Sequence, residues 1–484
     1  MQAAETLLRE TARDLFVGGV WRPASGGATF GVENPATGEA IAQVADATEA
    51  DAKAAMDACV AAQPAWAATA PRRRSEILTE AWRRMLAAED DLAMLMTLEM
   101  GKSLEESRGE VRYAAEFFRW FAEEAVRISG RFELAPDGSA RLLTLRQPVG
   151  PCVLVTPWNF PLAMGARKIG PAIAAGCTMT VKPAQQTPLS MLALAGILEA
   201  SGLPAGVLNV LPCARAAEIV AVCLDHPGAR KVSFTGSTVV GRTLARHAGE
   251  RLLRMSMELG GDNPFLVFAD ADLEAAVDGA MLAKMRNIGE ACTAANRFFV
   301  ASSVATEFSE RLARRMAAQT VGPGLSGAQV GPLIDERARS RVAELVRAAI
   351  DGGARVLTGG AAPEGPGYFF TPTVLVDVPA SAEILHTEIF GPVATIQTFE
   401  TEAEAVSMSN ATPVGLAAYV YTRDLARALR VTEALEVGMV GLNRGVVSNP
   451  AAPFGGIKAS GLGREGGREG IDEYLSVKFA AIAV

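Results

Sequence analysis

The chain has 484 residues, enough for two or three domains, and 21% of them are charged, as in an ordinary globular protein. Its net charge of −8 argues against a nucleic-acid partner, because a phosphate backbone is bound by basic faces. No apolar run approaches the ~18 residues that a membrane helix requires, and the N-terminus has no apolar signal core. We therefore expect a cytoplasmic protein that binds neither nucleic acid nor membrane.

The six cysteines and three histidines are widely scattered. No C-x-x-C pair occurs, and no histidine stands at ligand spacing from another histidine or a cysteine. This spacing predicts no disulfide framework and no metal site, and it fits a reducing compartment. It also disfavours Ser-His-Asp catalysis, so that in an enzyme we expect a general base other than histidine.

The N-terminal third is predicted to be mainly helical, over 48–70 and 75–129, with Thr48 as the N-cap of the first helix. A short β-like run follows at 141–147. From residue 150, short apolar runs alternate with Ala- and Leu-rich segments of helical length, which predicts βαβ units around a parallel sheet. The strands of this block are expected at 152–156, 177–181, 206–210 and 231–235. A nucleotide is expected to bind here.

A second α/β block follows, then a glycine-dense tail over 453–470 and a last β-like run to the C-terminus. The strands of this second block are expected at 263–268, 296–300, 393–399, 416–421 and 438–443.

Each candidate chemical motif is open to two interpretations when taken alone. "FTGST" (234–238) joins a strand to a helix start, where backbone N–H groups favour a phosphate, yet it is neither G-x-G-x-x-G nor a P-loop. Glu258 precedes two glycines and suits a general base, although most glutamates are surface charges. Cys292 has small neighbours that leave room for a substrate, although a free cysteine usually behaves as a small buried hydrophobe.

Taken together and in order, these stretches resemble the aldehyde dehydrogenase superfamily, and most closely its succinate-semialdehyde dehydrogenase branch. The motifs are "TPWNFP" (156–161), "KPA" (182–184), "FTGST", "MELGG" (257–261), "GEACTAANR" (289–297), "EIFGP" (388–392) and "PFGGIKASGLGRE" (453–465). The resemblance runs from "NPATGE" at 34–39 to the C-terminal strand. It implies an NAD(P)-dependent oxidoreductase.

The resemblance implies an α/β fold in three parts. A Rossmann-type cofactor domain is expected over 1–129 and 148–256, an α/β catalytic domain over 257–455, and a small β oligomerisation arm over 130–147 and 456–484. Arm strands that add to a neighbour's sheet imply a homodimer or homotetramer.

By similarity, Cys292 is the nucleophile, Glu258 the general base and Asn159 the oxyanion donor together with the Cys292 N–H. The thiolate would attack the aldehyde carbon to give a thiohemiacetal, hydride loss to the cofactor would leave a thioester, and water would release the acid. Such capture divides one difficult oxidation into two easier steps.

The resemblance also implies the residues that bind the cofactor. They are Thr156, Pro157, Trp158, Lys182, Gln185, Gly236, Ser237, Leu259, Glu388 and Phe390. Where the family has Glu at position 185, that carboxylate repels a 2′-phosphate, so the neutral Gln185 favours NADP, with NAD as the alternative.

Three further matches imply the substrate. Arg167, Arg286 and Ser448 align with the residues that hold the distal carboxylate of succinate semialdehyde, and a planar guanidinium grips a carboxylate through two hydrogen bonds. Glutarate semialdehyde or another small aldehyde remains an alternative. So do a CoA-acylating dehydrogenase and a binding protein that has lost its chemistry.

Two positions depart from the family pattern. Glu290 replaces the common Gln, and its charge is expected to raise the pKa of the nearby Cys292 thiol by repulsion. Ala294 replaces a second cysteine found in some relatives, so the chain is expected to lack the disulfide that inactivates them.

Overall fold

The computed structural model describes residues 2–483, so that Met1 and Val484, the outermost residues of the predicted cofactor domain and arm, lie outside it. The helices are α1 Gln2–Glu10, α2 Glu49–Ala68, α3 Pro71–Ala87, α4 Glu89–Met100, α5 Leu104–Ala125, α6 Ala163–Ala175, α7 Leu189–Ala200, α8 Ala216–Asp225, α9 Thr238–Glu250, α10 Leu273–Met285, α11 Ser302–Ala317, α12 Glu336–Asp351, α13 Glu402–Asn410, α14 Leu425–Ala434 and α15 Glu469–Asp472. Short 3₁₀ turns span Arg286–Gly289, Gly324–Ser326 and Glu383–Leu385.

The strands are β1 Leu15–Val17, β2 Val20–Arg22, β3 Thr29–Asn34, β4 Glu39–Ala45, β5 Arg131–Leu134, β6 Ala140–Pro148, β7 Cys152–Val155, β8 Met179–Lys182, β9 Leu208–Val210, β10 Lys231–Thr235, β11 Arg254–Glu258, β12 Asn263–Val267, β13 Ala295–Ala301, β14 Arg355–Thr358, β15 Thr373–Val376, β16 Val393–Phe399, β17 Val414–Gly415, β18 Ala417–Tyr421, β19 Met439–Leu442, β20 Ile457–Lys458, β21 Gly461–Leu462 and β22 Leu475–Ala483.

The first sheet has eight strands in the order β2-β1-β9-β8-β7-β10-β11-β21. The five strands from β7 to β11 are parallel, as the alternating pattern predicts. Both faces of the sheet are covered, since Cys152 and Leu154 of β7 pack into one core while Val153 and Val155 pack into another. The tail returns to this sheet as β21, which pairs antiparallel with β11, although its residues lie within the range predicted for the arm.

The second sheet has seven strands in the order β14-β15-β16-β13-β12-β18-β19, and all its pairs are parallel except β14–β15. It too is covered on both faces, because Phe265 and Val267 of β12 face one core and Leu266 faces the other. The carboxyl ends of β11 and of the neighbouring parallel strands of the first sheet face the loop that carries Cys292.

A separate three-stranded antiparallel sheet, β22-β6-β5, joins the two segments predicted for the arm. It exposes several large apolar side chains among charged ones, with Phe132 at 64% and Val477 at 67% of their full accessibility. An apolar face of this kind is a usual site of association with another chain.

The predicted continuous helix over 75–129 is wrong. The segment forms α3, α4 and α5, and α4 ends at Gly101, whose φ of 96° lies in the left-handed region. A Cβ at Gly101 would lie 2.7 Å from the ring of Pro332, so the turn requires glycine for space as well as for conformation. The predicted N-cap Thr48 is confirmed, because it forms a capping box with Asp51. Among residues 2–483, no helix is both long and apolar enough to cross a membrane.

Candidate active site

Cys292 differs from the other five cysteines in its accessibility. It is half-buried, whereas the other five thiols are buried. The chain approaches it through Asn287, Ile288 and Gly289, which all have positive φ. A Cβ at Gly289 would lie 2.2 Å from the carbonyl oxygen of Gly391, so this loop packs directly against the segment that follows Glu388. The sharp turn brings the thiol to the surface of a cavity.

The cavity, of about 560 Å³, lies between the carboxyl ends of the first sheet and the Cys292 loop. It brings together ten of the predicted residues, which are Pro157, Trp158, Asn159, Gly236, Ser237, Glu258, Leu259, Cys292, Glu388 and Phe390. They come from five separate sequence motifs, which the fold brings together.

Asn159 follows β7, and hydrogen bonds hold both its side chain and its backbone carbonyl group. Its side-chain Nδ2 donates to the carbonyl oxygen of Glu290 at 2.9 Å, and its backbone carbonyl accepts from Lys102 at 2.8 Å and from Asn287 at 3.0 Å. An amide nitrogen carries two N–H groups, so one remains for the cavity. In the described part of the chain, no backbone carbonyl accepts from the Cys292 N–H. Two N–H donors are thus available beside the sulfur.

Glu258 ends β11 and is 2% exposed, and neither of its carboxyl oxygens has a hydrogen-bond partner within residues 2–483. Burial, followed by the charge of Glu465, raises the pKa of Glu258 well above its usual value. A carboxyl group with a raised pKa can accept a proton from a thiol or a water near neutral pH. Gly455 leaves room for the Glu258 carboxyl group, because a Cβ at position 455 would lie only 2.8 Å from Glu258 Oε1.

The Cys292 thiol is itself difficult to ionise. Burial raises its pKa to about 12, against the opposing effect of the Arg167 cation. The carboxyl groups that add to the rise are Glu388 and Glu258. A thiol attacks carbonyl carbons as its thiolate, so Cys292 could serve as a nucleophile only if a base accepted its proton. Glu258 is an unpartnered carboxyl group that lines the same cavity.

The repulsion expected from Glu290 is not found. Its side chain is fully buried, and Oε1 accepts from the Ile334 N–H at 3.1 Å. Burial raises the pKa of Glu290 well above its usual value, which disfavours its charged form, and the carboxyl groups that raise the pKa of Cys292 are those of Glu388 and Glu258. This expectation failed because the sequence shows adjacency but does not show the direction of a side chain.

Some of the predicted cofactor residues line the cavity and the others lie outside it. Trp158 and Phe390 meet edge to face with ring centroids 5.5 Å apart, and the Glu388 carboxylate accepts from the Gly261 N–H at 3.1 Å. Ser237 caps α9, and a Cβ at Gly236 would lie 2.5 Å from the Phe234 ring. These residues line the cavity.

Thr156, Lys182 and Gln185 lie outside the lining of this cavity. Thr156 and Lys182 are adjacent at the ends of β7 and β8, where the Thr156 N–H donates to the Lys182 carbonyl oxygen at 3.1 Å. Both are buried, whereas Gln185 is exposed in the loop before α7. Burial lowers the pKa of Lys182.

Arg286 has a guanidinium group that is free to bind an anion. It is half-buried, its Cζ lies 5.0 Å from the centre of the Phe160 ring, and it forms no ion pair within residues 2–483. It lines a second cavity of about 650 Å³, while Phe160 lines the cavity of Cys292. The guanidinium group therefore stands between the two cavities, and its charge acts on the Cys292 thiol.

Arg167 and Ser448 are placed differently. Arg167 is 1% exposed, donates from Nε to Glu465 at 2.9 Å and stacks 3.9 Å from the centre of the Phe454 ring. Its charge reaches Cys292 and Glu258, yet it already has a carboxylate partner. Ser448 is half-buried in the loop after β19, and the hydrogen bonds found within residues 2–483 do not connect it to either arginine.

Sequence reasoning missed several residues of the site. Glu465, which neutralises Arg167 and Lys168, belongs to the quoted "GLGRE" motif, so the motif indicated the segment without indicating its role. Arg337 and Arg341 of α12 line the mouth of the cavity. No pattern in the sequence marks them, since they reach the site only through the packing of α12.

Comparison with known proteins confirms the resemblance. A family model described as the aldehyde dehydrogenase family matches residues 21–480. The chain is 57% identical over 444 residues to the succinate-semialdehyde dehydrogenase of Paenarthrobacter nicotinovorans, covering 92% of this chain and 99% of that relative. It is 48% identical over 470 residues to the succinate-semialdehyde dehydrogenase [NADP(+)] GabD of Escherichia coli (strain K12), covering 97% of each.

It is likewise 48% identical over 470 residues to a glutarate-semialdehyde dehydrogenase of Pseudomonas putida, covering 97% of each. A crystal structure of an E. coli NADP-dependent enzyme superposes with a TM-score of 0.96 at 47% identity, covering 98% of each chain. The chain belongs to the aldehyde dehydrogenase family, and the predicted fold class is confirmed.

Proposed function

We propose that this protein oxidises succinate semialdehyde to succinate with NADP⁺, through a thiohemiacetal and a thioester on Cys292. The observation that carries the proposal is the meeting of the accessible thiol, the unpartnered Glu258 carboxyl group and the Asn159 amide in one cavity. The names of the similar enzymes, which include succinate- and glutarate-semialdehyde dehydrogenases, supply the substrate class.

The roles follow from the chemistry of each group. Glu258 takes the proton from the Cys292 thiol, and the thiolate sulfur bonds to the aldehyde carbon. The Asn159 amide and the Cys292 N–H stabilise the alkoxide that forms. Glu258 passes that proton to solvent before the second half of the reaction. After oxidation leaves a thioester, Glu258 takes a proton from a water whose oxygen bonds to the acyl carbon; the carbon–sulfur bond then breaks, which releases succinate and restores the Cys292 thiolate.

The cavity fits a nicotinamide dinucleotide. Thr235 Oγ1 and both Glu258 oxygens are buried polar atoms without a partner in the described residues, and a Cβ at Gly260 would lie 2.6 Å from Glu388 Oε2. We propose that the ten predicted cofactor residues hold the dinucleotide, with Glu388 at the nicotinamide ribose. When bound, this cofactor supplies the hydride acceptor.

NADP is proposed over NAD because Gln185 is exposed and uncharged, and Lys182 ends β8, the strand that leads into the Gln185 loop. A carboxylate at position 185 would repel a 2′-phosphate. The substitution Gln185→Glu should therefore lower kcat/KM with NADP⁺ and leave or improve that with NAD⁺. A parallel loss with both cofactors would contradict the assignment.

The distal carboxylate of the substrate is proposed to bind Arg286, with Arg167 and Ser448 completing the site. Arg286 carries most of this proposal, because Arg167 is already bonded to Glu465. Glutarate semialdehyde, one carbon longer, is the second candidate, favoured by the Pseudomonas relative. A matrix of NAD⁺ and NADP⁺ against both semialdehydes and neutral aldehydes, measured as kcat/KM, tests the whole assignment.

We further propose a cytoplasmic homodimer or homotetramer built through the arm sheet β22-β6-β5, within the three-part domain division given above. The exposed Phe132, Val477 and Phe479 support an association surface. Light scattering after size-exclusion chromatography tests it, and the substitution Val477→Asp should lower the measured mass. A monomeric wild-type protein would contradict the proposal.

A further inference from the structure

Lys102 is a buried lysine whose ammonium group contacts the backbone of the proposed oxyanion donor. Its side chain and that of Glu110 are each 1% exposed, and Lys102 Nζ lies 2.5 Å from Glu110 Oε2. The same Nζ donates to the backbone carbonyl of Asn159 at 2.8 Å. A buried ion pair often contributes little net stability, because both charges lose their hydration. The contact with Asn159 therefore indicates a role for this pair beyond stability.

Glu110 fixes the direction of the Lys102 side chain. It lies on α5, and its Oε1 accepts from the N–H groups of Leu162 and Ala163, both at 3.0 Å, where α6 begins. The N–H groups at a helix start have no partner within the helix, so the carboxylate satisfies two of them. Glu110 is thus bound to the segment that follows Asn159, while its Oε2 remains for Lys102.

The backbone of Lys102 is also held in place. The residue follows Gly101, where α4 ends. A Cβ at Gly324 would lie 2.3 Å from the Lys102 carbonyl oxygen, and a Cβ at Gly331 would lie 3.3 Å from the Lys102 Cα. Two neighbouring segments therefore pack directly against this backbone, which leaves the ammonium group little freedom to move away from Asn159.

The peptide group between Asn159 and Phe160 is held at both of its polar ends. Its N–H donates to the Asn159 side-chain Oδ1 at 3.1 Å, and its oxygen accepts from Lys102 and from Asn287 Nδ2. The Asn159 Nδ2 donates one N–H to the carbonyl oxygen of Glu290. Because this peptide group and the side-chain amide are joined through Oδ1, rotation of the peptide would turn the remaining N–H away from the cavity.

Lys102 and Asn287 hold the Asn159 carbonyl from different parts of the fold. Asn287 uses both N–H groups of its Nδ2, on the carbonyl oxygens of Asn159 at 3.0 Å and Glu290 at 2.9 Å. It therefore joins Asn159 to the loop that carries Cys292. Lys102 instead joins the same carbonyl to α5, through Glu110, and so fixes it relative to an element outside that loop.

We propose that Lys102, anchored by Glu110, is a positioning residue for the oxyanion site: its ammonium group holds the Asn159 carbonyl so that the remaining N–H of the Asn159 amide faces the alkoxide. This inference rests on the proposed function, in which Asn159 is the oxyanion donor. Lys102 is not part of the lining of the Cys292 cavity, so it acts through Asn159 and not on the substrate.

The first test is Lys102→Met, which keeps a long side chain and removes the donor. We expect kcat for NADPH formation from succinate semialdehyde to fall about 10- to 30-fold, less than the ~10²- to 10³-fold loss of a whole oxyanion donor, because Asn287 still holds the carbonyl. KM for the aldehyde and NADPH affinity should change less than about twofold, since Lys102 contacts neither ligand. Initial rates and tryptophan fluorescence measure these quantities.

A double-mutant cycle with Asn159→Ala separates positioning from folding. In the Asn159→Ala background, Lys102→Met should lower kcat by less than about twofold, because no side-chain amide remains to be oriented. The losses in Tm should instead add, because the backbone carbonyl at position 159, which Lys102 contacts, is present in both backgrounds.

Lys102→Met leaves Glu110 buried without its cation, which is destabilising. Combining it with Glu110→Gln removes both charges and keeps an oxygen for the N–H groups of α6, so that Tm should rise again while kcat stays low. The control is Lys231→Met, which removes another fully buried lysine, one that lies 3.5 Å from Glu473. It should lower Tm and leave kcat within about twofold.

A kcat that recovers together with Tm in the combined variant, or losses in kcat that multiply in the double-mutant cycle, would show a role in folding alone and overturn the inference. Unchanged kcat in Lys102→Met beside a low kcat in Asn159→Ala would overturn this inference and leave the proposed function standing. Unchanged kcat in Asn159→Ala would overturn the proposed role of Asn159 and this inference together.

Discussion

Replacing Arg286 by Met removes the charge proposed to select the substrate and keeps a long side chain. The guanidinium group lies 5.0 Å from the Phe160 ring centre and has no ion-pair partner in residues 2–483, although its charge lowers the pKa of Glu106, which burial raises. Any loss through Glu106 should be the same for all aldehydes, so a comparison of charged and neutral aldehydes isolates the contact with the substrate. Succinate semialdehyde carries a carboxylate, and butanal, its neutral counterpart of equal length, does not.

The size of the expected loss follows from the free energy that a hydrogen bond to a charged group contributes, about 1.5–3 kcal/mol. Since about 1.4 kcal/mol is a factor of ten, the full range corresponds to roughly 10- to 150-fold. Arg286 is half-buried and its charge is partly screened, which places the effect at the lower end. We expect kcat/KM for succinate semialdehyde to fall about 10- to 30-fold, mainly through KM, and that for butanal to change less than about threefold.

The assay is initial-rate formation of NADPH with each aldehyde. The matched control is Arg315→Met, since Arg315 lines the same second cavity but is paired with Asp278 at 2.8 Å. It should leave both aldehydes unaffected. An equal loss for both aldehydes in Arg286→Met would refute the carboxylate contact, because a packing defect does not distinguish the charge of a substrate.

Three other changes test the remaining groups of the site. Asn159→Ala should lower kcat about 10²- to 10³-fold while NADPH affinity is kept, as measured by steady-state rates and fluorescence, because one oxyanion donor is lost. Glu290→Gln should leave kcat/KM and its pH profile within about twofold, because burial disfavours the charged form of Glu290 and the carboxyl groups that raise the pKa of Cys292 are Glu388 and Glu258; an acidic shift of the profile would contradict this. Turnover should fall as pH drops through the raised pKa of Glu258, since the base must be deprotonated, and Glu258→Gln should abolish this dependence in single-turnover rates.

Much of the fold could be predicted from local pattern. Strands buried on both faces are rich in β-branched and apolar residues, and the predicted bounds of β10 and β16 agree with the structure to the residue. The break at Gly101 was missed, because one glycine in a long amphipathic pattern does not show that Pro332 packs against it.

The same distinction applies to the site, where residues in sequence motifs could be predicted and contacts between distant segments could not. Cys292, Glu258 and Asn159 could be found because they stand in motifs of unusual composition. Other features of the site depend on contacts between distant segments. These are the ion pair of Glu465 with Arg167, the burial of the Glu290 side chain against Ile334, and the arginines that α12 adds to the cavity. Sequence proximity does not determine such contacts.

The central claim is that the sulfur of Cys292 bonds covalently to the substrate carbon. The most direct measurement is mass spectrometry of the wild-type protein, quenched with acid during turnover of succinate semialdehyde and NADP⁺, because acid stops the base-assisted release of the acyl group. A succinyl mass is expected on the peptide that contains Cys292 and should be absent when that residue is Ser. A succinyl group on another cysteine, or full turnover by the Cys292→Ser protein, would contradict it.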